Sequence, residues 1–508
     1  MKFLFLSILI FISGLVSAQM FTKIIDSPLS TTKGDSRSVN WVDVNGDGYV
    51  DCFISNGPQA GQNNMLYIND TNGGFTAVLD DPIVMDGMPS DGATFADIDN
   101  DGDLDAFVVN WYNRNNMAYI NDGTGKFTQV LEGIWVNHLG YSETASFGDY
   151  DNDGLVDLYV TNSEGNKNNF LYRNLGQHVM QNVTGVTPVT DIATSRCVSW
   201  TDIDSDGDPD LFVTNENSEK ENLYRNDGGL FVKLTQPVIT ADEFSTMSGS
   251  WGDIDNDGDL DLFLANDGSK NQLFRNDGNF AFSRILTTDI SNASARSFSS
   301  AWADIDNDGD IDLFVTNAFQ TGVRLKNKLY LNDGTGDLSE VTNEVVATDT
   351  GWSYGCAFGD YDNDGFQDLA VATTRFGIND ERDYLYHNNG NANHWILLTL
   401  KGTDSNRSAI GAKVRVKAVI NGKSVWQMRE ISSQSAYCSQ NDMRAHFGLG
   451  DATIVDSILI EWPSGIKQYK TGVLPNQILS IEEGLVNAVK DEMPTFGFKV
   501  FPNPTHSI

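Results

Sequence analysis

A nine-residue acidic loop occurs seven times in this chain of 508 residues, beginning at Asp43, Asp97, Asp149, Asp202, Asp253, Asp304 and Asp360. Successive starts lie 54, 52, 53, 51, 51 and 56 residues apart. A period near fifty residues restricts the fold to stacked copies of one supersecondary unit, because a single copy cannot bury its own apolar face. The loop reads D-x-[DN]-x-D-G-x-x-D, the pattern of a calcium chelator. Calcium takes hard oxygen ligands at about 2.3–2.6 Å in a tolerant geometry, and alternate residues of a tight loop can aim carboxylates at one centre.

The candidate metal ligands are positions one, three, five and nine. They are Asp43, Asn45, Asp47 and Asp51 in the first loop, and Asp97, Asp99, Asp101 and Asp105 in the second. The third and fourth supply Asp149, Asp151, Asp153 and Asp157, then Asp202, Asp204, Asp206 and Asp210. The fifth, sixth and seventh supply Asp253, Asp255, Asp257 and Asp261, Asp304, Asp306, Asp308 and Asp312, and Asp360, Asp362, Asp364 and Asp368. Glycine fills position six in every copy, where the chain must turn sharply. The loop is like the first half of an EF-hand, with the closing acid at position nine rather than twelve. Asn45 leaves the first copy one charge short, so a weaker site is expected there. Solvated hairpin turns are the alternative reading, but carboxylates this close repel one another and a cation relieves them.

The loops continue as DCFISN, DAFVVN, DLYVTN, DLFVTN, DLFLAN, DLFVTN and DLAVAT. These short β-branched and aromatic runs read as buried strands, where an EF-hand or dockerin would place a helix. An aromatic stands two residues before each loop: Trp41, Phe95, Phe147, Trp200, Trp251, Trp302 and Phe358. A third element follows, such as NMLYIND or QLFRNDG, and Asn-Asp-Gly is a turn signal. A fourth strand often opens with Phe-Thr, as at Phe75 and Phe127. Four short strands per repeat make a propeller blade. The seventh repeat stops after its third strand, while Phe21-Thr22-Lys23-Ile24-Ile25 reads as an orphan fourth strand that completes it. The expected fold is all-β: a seven-bladed β-propeller with calcium loops over residues 19–392, then a small β-rich domain over 393–484.

The formal net charge is −37, from 70 acidic and 33 basic residues. The loop positions supply 27 of those acids, and what remains exceeds the bases by only 10. The acidity is therefore local ligand chemistry. Up to seven structural Ca2+ ions would offset 14 charges, one ion per loop. Nothing forms a basic stripe, so nucleic acid is not an expected partner.

Residues 1–18 combine Lys2, an apolar stretch and Val16-Ser17-Ala18, which reads as a secretory signal cut after Ala18. No later segment is apolar enough for a membrane span. Secretion fits calcium, which is abundant outside cells. Cys52, Cys197, Cys356 and Cys438 lack C-x-x-C spacing. Cys52 and Cys356 fall in the first and last repeats, so either a disulfide or buried free thiols is open.

The aromatic-small-Asp loops, with Phe147-Gly148-Asp149 and Phe358-Gly359-Asp360 in the FG form, resemble FG-GAP/VCBS repeats, the calcium-bearing blades of integrin α-subunit propellers. The segments NHWILLTLKGTDSNRSAIGAKVRV, HFGLG and VDSILIEWPSGIKQ resemble the ASPIC/UnbV domain. The pairing resembles bacterial members of the cartilage acidic protein family. That resemblance implies a secreted calcium-binding protein for adhesion or scaffolding, with an extracellular glycan or a matrix or cell-surface protein as partner. After a linker at 485–495, residues 496–508 resemble the start of the sorting domain used in type IX secretion.

The ASPIC/UnbV-like segment reads as β-rich. Its residues 405–407, Arg429, Glu430 and His446 read as a ligand site or as a buried Arg–Glu pair beside a hydrogen-bonded histidine. No H-E-x-x-H or phosphate-binding glycine loop is present in the sequence. The six histidines show no metal-ligand spacing among themselves. The alternative function, a carbohydrate-active enzyme of polysaccharide lyase or sugar dehydratase type, rests on analogy. Arg324, Lys326, Lys328, Arg375 and Arg382 in the longer connections are the cations that would meet a uronate.

Overall fold

The computed structural model describes residues 19–235, 238–286, 290, 294–320, 323–375, 382–435 and 437–484. The expected leader, linker and sorting segment lie outside the described residues, as do parts of the two cation-bearing connections.

The chain is all-β and propeller-like, and each acidic loop joins the first two strands of a four-stranded antiparallel sheet. The second repeat shows the order: Ser90–Ala96, the loop, Asp105–Asn110, Met117–Asn121 and Phe127–Gln129. The last repeat supplies Ser353–Gly359, Asp368–Thr373 and Tyr384–Asn388. Its fourth strand is Phe21–Ile24, with Phe21 opposite Asn388. The fifth and sixth sheets are also joined, because Asp261–Lys270 runs long enough for Asp267 to pair with Arg296.

Adjacent sheets pack through aromatic and apolar side chains, and alternation alone would not place them, because most first and second strands are buried on both faces. Trp41 packs with Phe75 and stacks on Tyr361 of the seventh repeat, and its indole donates to the Ala357 carbonyl at 3.1 Å. Ser36 donates to Asp383 at 2.9 Å, a second tie between the first and seventh sheets. The four cysteines are free and buried. Among the described residues no helix is long and apolar enough to cross a membrane.

Residues beyond 392 form a three-stranded and a four-stranded sheet. In the first, His394–Lys401 lies between Ala445–Gly450 and the parallel strand Gln477–Glu482. In the second, Lys413–Ile420 and Val455–Glu461 are central. Their buried core includes Ile396, Val414, Val416, Phe447, Ile458 and Trp462. These sheets sit on the acidic loops. Lys413 reaches Asp202, Arg415 reaches the Gly258 carbonyl, and the Gly448 N–H donates to Asp304.

A polar segment between Glu430 and Ala445 leaves these sheets and enters the axis of the repeats. Gln440 bonds the backbone of Val39 and Trp41, Ser433 bonds Phe147, and Asn441 bonds Phe358. Every first strand carries a register shift near its start. Such a bulge re-aims a side chain. The residues there are Arg37, Asp91, Glu143, Arg196, Met247, Phe298 and Tyr354, and Tyr437 sits among them. Its hydroxyl donates to Glu143 at 2.6 Å and accepts from Arg196 at 3.1 Å, while Met247, Phe298 and Tyr354 pack beside it.

Candidate metal centres

The second loop shows how the sequence builds an oxygen cage. Asp97, at position one, accepts the Asp101 N–H at 3.0 Å and the Gly102 N–H at 2.7 Å. Asp105, at position nine, accepts the Ile98 N–H at 3.0 Å and the Asn121 N–H at 2.8 Å. Positions four and six both have left-handed backbone, with φ of 61° at Asn100 and 110° at Gly102. Asparagine and glycine tolerate that region, and this explains the residue types found there. The double turn converges the carboxylates: one oxygen each from Asp97, Asp99 and Asp105 lies within 4.8 Å of the others. Matching clusters occur at Asp149, Asp151 and Asp157 and at Asp253, Asp255 and Asp261, while the fourth loop brings together Asp202, Asp204 and Asp206, its positions one, three and five.

Whether a cation fits can be judged from atoms left without a partner. The position-three oxygens Asp151 Oδ1, Asp204 Oδ1, Asp255 Oδ1 and Asp306 Oδ1 are buried and accept no hydrogen bond. A buried carboxylate oxygen without a donor costs about 1–3 kcal/mol or more, and coordination would satisfy it. The electrostatics agree. Burial, with repulsion from neighbouring carboxylates, pushes Asp97, Asp149 and Asp253 up to about 7 and Asp105, Asp210 and Asp261 up to about 8. Asp157, Asp304, Asp312 and Asp360 are raised for the same reasons. Groups so reluctant to ionise together are suited to a dication. In the first loop Asn45 donates to Asp47 at 3.1 Å, so the amide relieves part of that strain internally.

The turn reading of Asn-Asp-Gly missed a second role. The third-strand asparagines clamp two loops at once. Asn226 donates to the Pro209 carbonyl of its own loop and to the Tyr150 carbonyl of the preceding repeat's loop. Asn69 does the same with Val50 and with Tyr361 of the seventh repeat. The identical position in all seven repeats was the available signal. Histidine was also overlooked. Spacing among histidines gives nothing, yet His387 Nδ1 lies 3.1 Å from Asp368 and 3.5 Å from Asp362. His178 Nε2 lies 2.6 Å from Asp99.

The C-terminal polar residues do not form the expected arginine–glutamate pair. Arg429 lies over the Phe447 ring and near Asp304 and Asp253. Glu430, pushed up to about 7 by burial, lies near Lys413 and Asp202. Successive strand residues point to opposite faces, so the two diverge. His446 is hydrogen-bonded as expected, to the Gly365 carbonyl at 3.1 Å. Of the connection cations, Lys328 pairs with Glu340, and Lys326 sits on a short strand against Thr350.

Repeated sheets with an acid cluster at each first turn define a propeller-like repeat protein with candidate cation sites. Models of known families make this specific. The FG-GAP-like repeat matches residues 43–108, 97–160, 149–213, 202–264, 253–315 and 318–371, and the ASPIC and UnbV family matches 402–488. The chain belongs to the FG-GAP-like repeat family and carries a C-terminal ASPIC and UnbV segment. Cartilage acidic protein 1 of Xenopus tropicalis is 27% identical over 329 residues, 62% of this chain and 47% of that protein. Integrin alpha-4 of Xenopus laevis is 33% identical over 94 residues, 17% of this chain and 9% of that protein. The chain thus spans about half the length of the first relative and under a tenth of the second. Among solved structures, YCF48 from Cyanidioschyzon merolae aligns with a TM-score of 0.45 at 9% identity, covering 73% of this chain and 98% of that one.

Proposed function

We propose that this protein is a secreted binding module: a closed seven-bladed propeller over residues 19–392, stabilised by up to seven structural calcium ions, with a β-domain over 393–484 seated on its metal loops. The metal ligands are the acids of positions one, three, five and nine, with Asn45 in the first loop. Calcium supplies coordination in place of mutual carboxylate repulsion. Its binding energy then adds to folding energy by linkage.

One observation carries binding rather than turnover: the axis of the repeats is filled by the chain itself. Arg37, Asp91, Glu143 and Arg196 are charged groups gathered there, and they are committed to one another, to Tyr354 and Tyr437, and to Glu216. Arg196 Nη1 lies 2.5 Å from Glu143, while Arg37 lies over Tyr354 and 3.8 Å from Asp91. Burial and the nearby Glu143 raise Asp91, whereas Arg196 overcomes burial to hold Glu143 below its ordinary value. With the loop face covered by the C-terminal sheets, recognition falls to the opposite face. Trp111 there packs edge-on against Tyr112 and Tyr141 at 4.5 and 5.1 Å, a half-buried aromatic group suited to a sugar ring or a protein hot spot. The partner is an extracellular glycan or a matrix or cell-surface protein, as the relationship to cartilage acidic protein 1 and integrin alpha-4 supports.

Two measurements test this. A chelator should lower the melting temperature sharply, and calcium should restore it; an unmoved unfolding curve removes the structural metal. A glycan and matrix-protein array should give binding that a Trp111→Ala variant loses. Depolymerisation of an acidic polysaccharide by the same sample would instead make this an enzyme.

A further inference from the structure

We propose that the seventh loop takes a borderline transition-metal dication, with His387 as an imidazole ligand beside the carboxylates, while the other loops take calcium. This rests on the metal reading above and concerns one site of the seven. The residue just before each clamp asparagine lies on the third strand, beside that repeat's own loop. In chain order it is Ile68, Ile120, Arg173, Arg225, Arg275, Leu331 and His387. Isoleucine and leucine offer no ligand atom. Arginine cannot deprotonate and serves as a fixed counter-ion, as Arg173 does at 2.6 Å from Asp151 and 2.9 Å from Asp153. His387 alone in this series brings a lone pair.

The ring is positioned to use it. Its Nδ1 lies 3.1 Å from Asp368 and 3.5 Å from Asp362. One nitrogen of His387 and one oxygen each of Asp362 and Asp364 all lie within 4.8 Å of one another. Tyr361 holds the ring edge-to-face at a centroid distance of 6.1 Å. Asp368 and Asp360 of the same loop are fully buried. Calcium prefers an all-oxygen shell. Imidazole with carboxylates suits zinc, cobalt or nickel, which such a site binds more tightly. His178 differs, because it is more exposed and meets a single carboxylate of the second loop, Asp99.

The experiment uses the full chain held in millimolar calcium, with one equivalent of cobalt(II) chloride added before desalting. Calcium and cobalt are then counted by elemental analysis, and the cobalt ligand-field absorption is recorded. The wild type should keep one cobalt per chain, lose one calcium and show the spectrum of a nitrogen-ligated ion. His387→Leu should keep no cobalt and hold calcium in its place. His178→Leu should behave as wild type. His387→Arg, which copies repeats three to five, carries the same expectation should the leucine variant fail to fold. Cobalt absent from calcium-loaded wild type, or retained equally by both His387 variants, overturns the proposal. Absence of both metals overturns the calcium reading itself.

Discussion

A buried carboxylate stands where most repeats use an amide. Asn64, Asn116, Asn169, Asn271 and Asn327 each accept a backbone N–H from the end of the second strand. Asn116 also donates to Ser142 of the next repeat at 3.1 Å. In the fourth repeat the residue is Glu221, which accepts the Asn215 N–H at 2.6 Å. Thr246, its neighbour across the repeat boundary, already donates its hydroxyl proton to Asn266. An ionised Glu221 has nothing to give it, and burial raises its pKa well above the ordinary 4.5. A raised folded value means that the protonated side chain suits the fold. Its contribution is full below pH 4.5 and is lost as pH rises toward the folded value. Glu221→Gln should therefore be neutral near pH 4 and stabilising at pH 7.5. A gain on the order of 1 kcal/mol or more is expected, since each pKa unit is worth about 1.4 kcal/mol. Urea titrations at both pH values check it, and an equal effect at both would remove the ionisation argument.

The strand Phe21–Ile24 shows how elements separated in sequence become one sheet. Phe21 is fully buried with Phe314, Leu329, Leu369 and Tyr386. Phe21→Ala should cost about 3–5 kcal/mol, measured as a loss of unfolding free energy. This strand was legible because the seventh repeat lacks a fourth strand and residues 21–25 supply the missing grammar. The acid cages and the strands after them were legible for the same reason, seven registered copies of one pattern. The clamp role of Asn226 and its counterparts was not, since Asn-Asp-Gly satisfies a local turn rule and hides the long-range bonds. The course of the Ser- and Gln-rich segment was not legible either. Its partners, such as Val39 and Phe147, lie hundreds of residues away, and it has no periodicity of its own. The pairing of Asp267 with Arg296 depends on strand length, which local pattern fixes poorly.

At the scale of the molecule, the acidic loops and C-terminal sheets form one mechanical unit. The bonds between them end on loop atoms whose positions a coordinated ion would fix. Arg444 donates to the Asp360 carbonyl at 2.7 Å and to the Gly48 carbonyl at 3.3 Å, joining the seventh and first loops. The Asp97 N–H donates to Ser408 at 2.8 Å, and Lys413 holds both Asp202 and Ser205. Loops also bind each other, as Asn307 does the Gly365 carbonyl and Asn363 the Gly48 carbonyl, both at 3.0 Å. On the calcium proposal, removing the ion would restore carboxylate repulsion in each cage and shift the acceptors. The C-terminal sheets would then lose their footing together, and the axial segment the frame that holds it between the first strands. With calcium, unfolding should be one cooperative transition. With a chelator, the Gln440 amide, which donates to the Val39 carbonyl at 3.0 Å, and the Trp41 amide, which donates to the Gln440 carbonyl at 3.1 Å, should lose hydrogen-exchange protection before the third strands do. Protection at Gln440 that survives chelation while loop amides such as Gly102 exchange freely would mean that the axial segment is held by Tyr437 and the inner strands alone, and that metal and docking are independent.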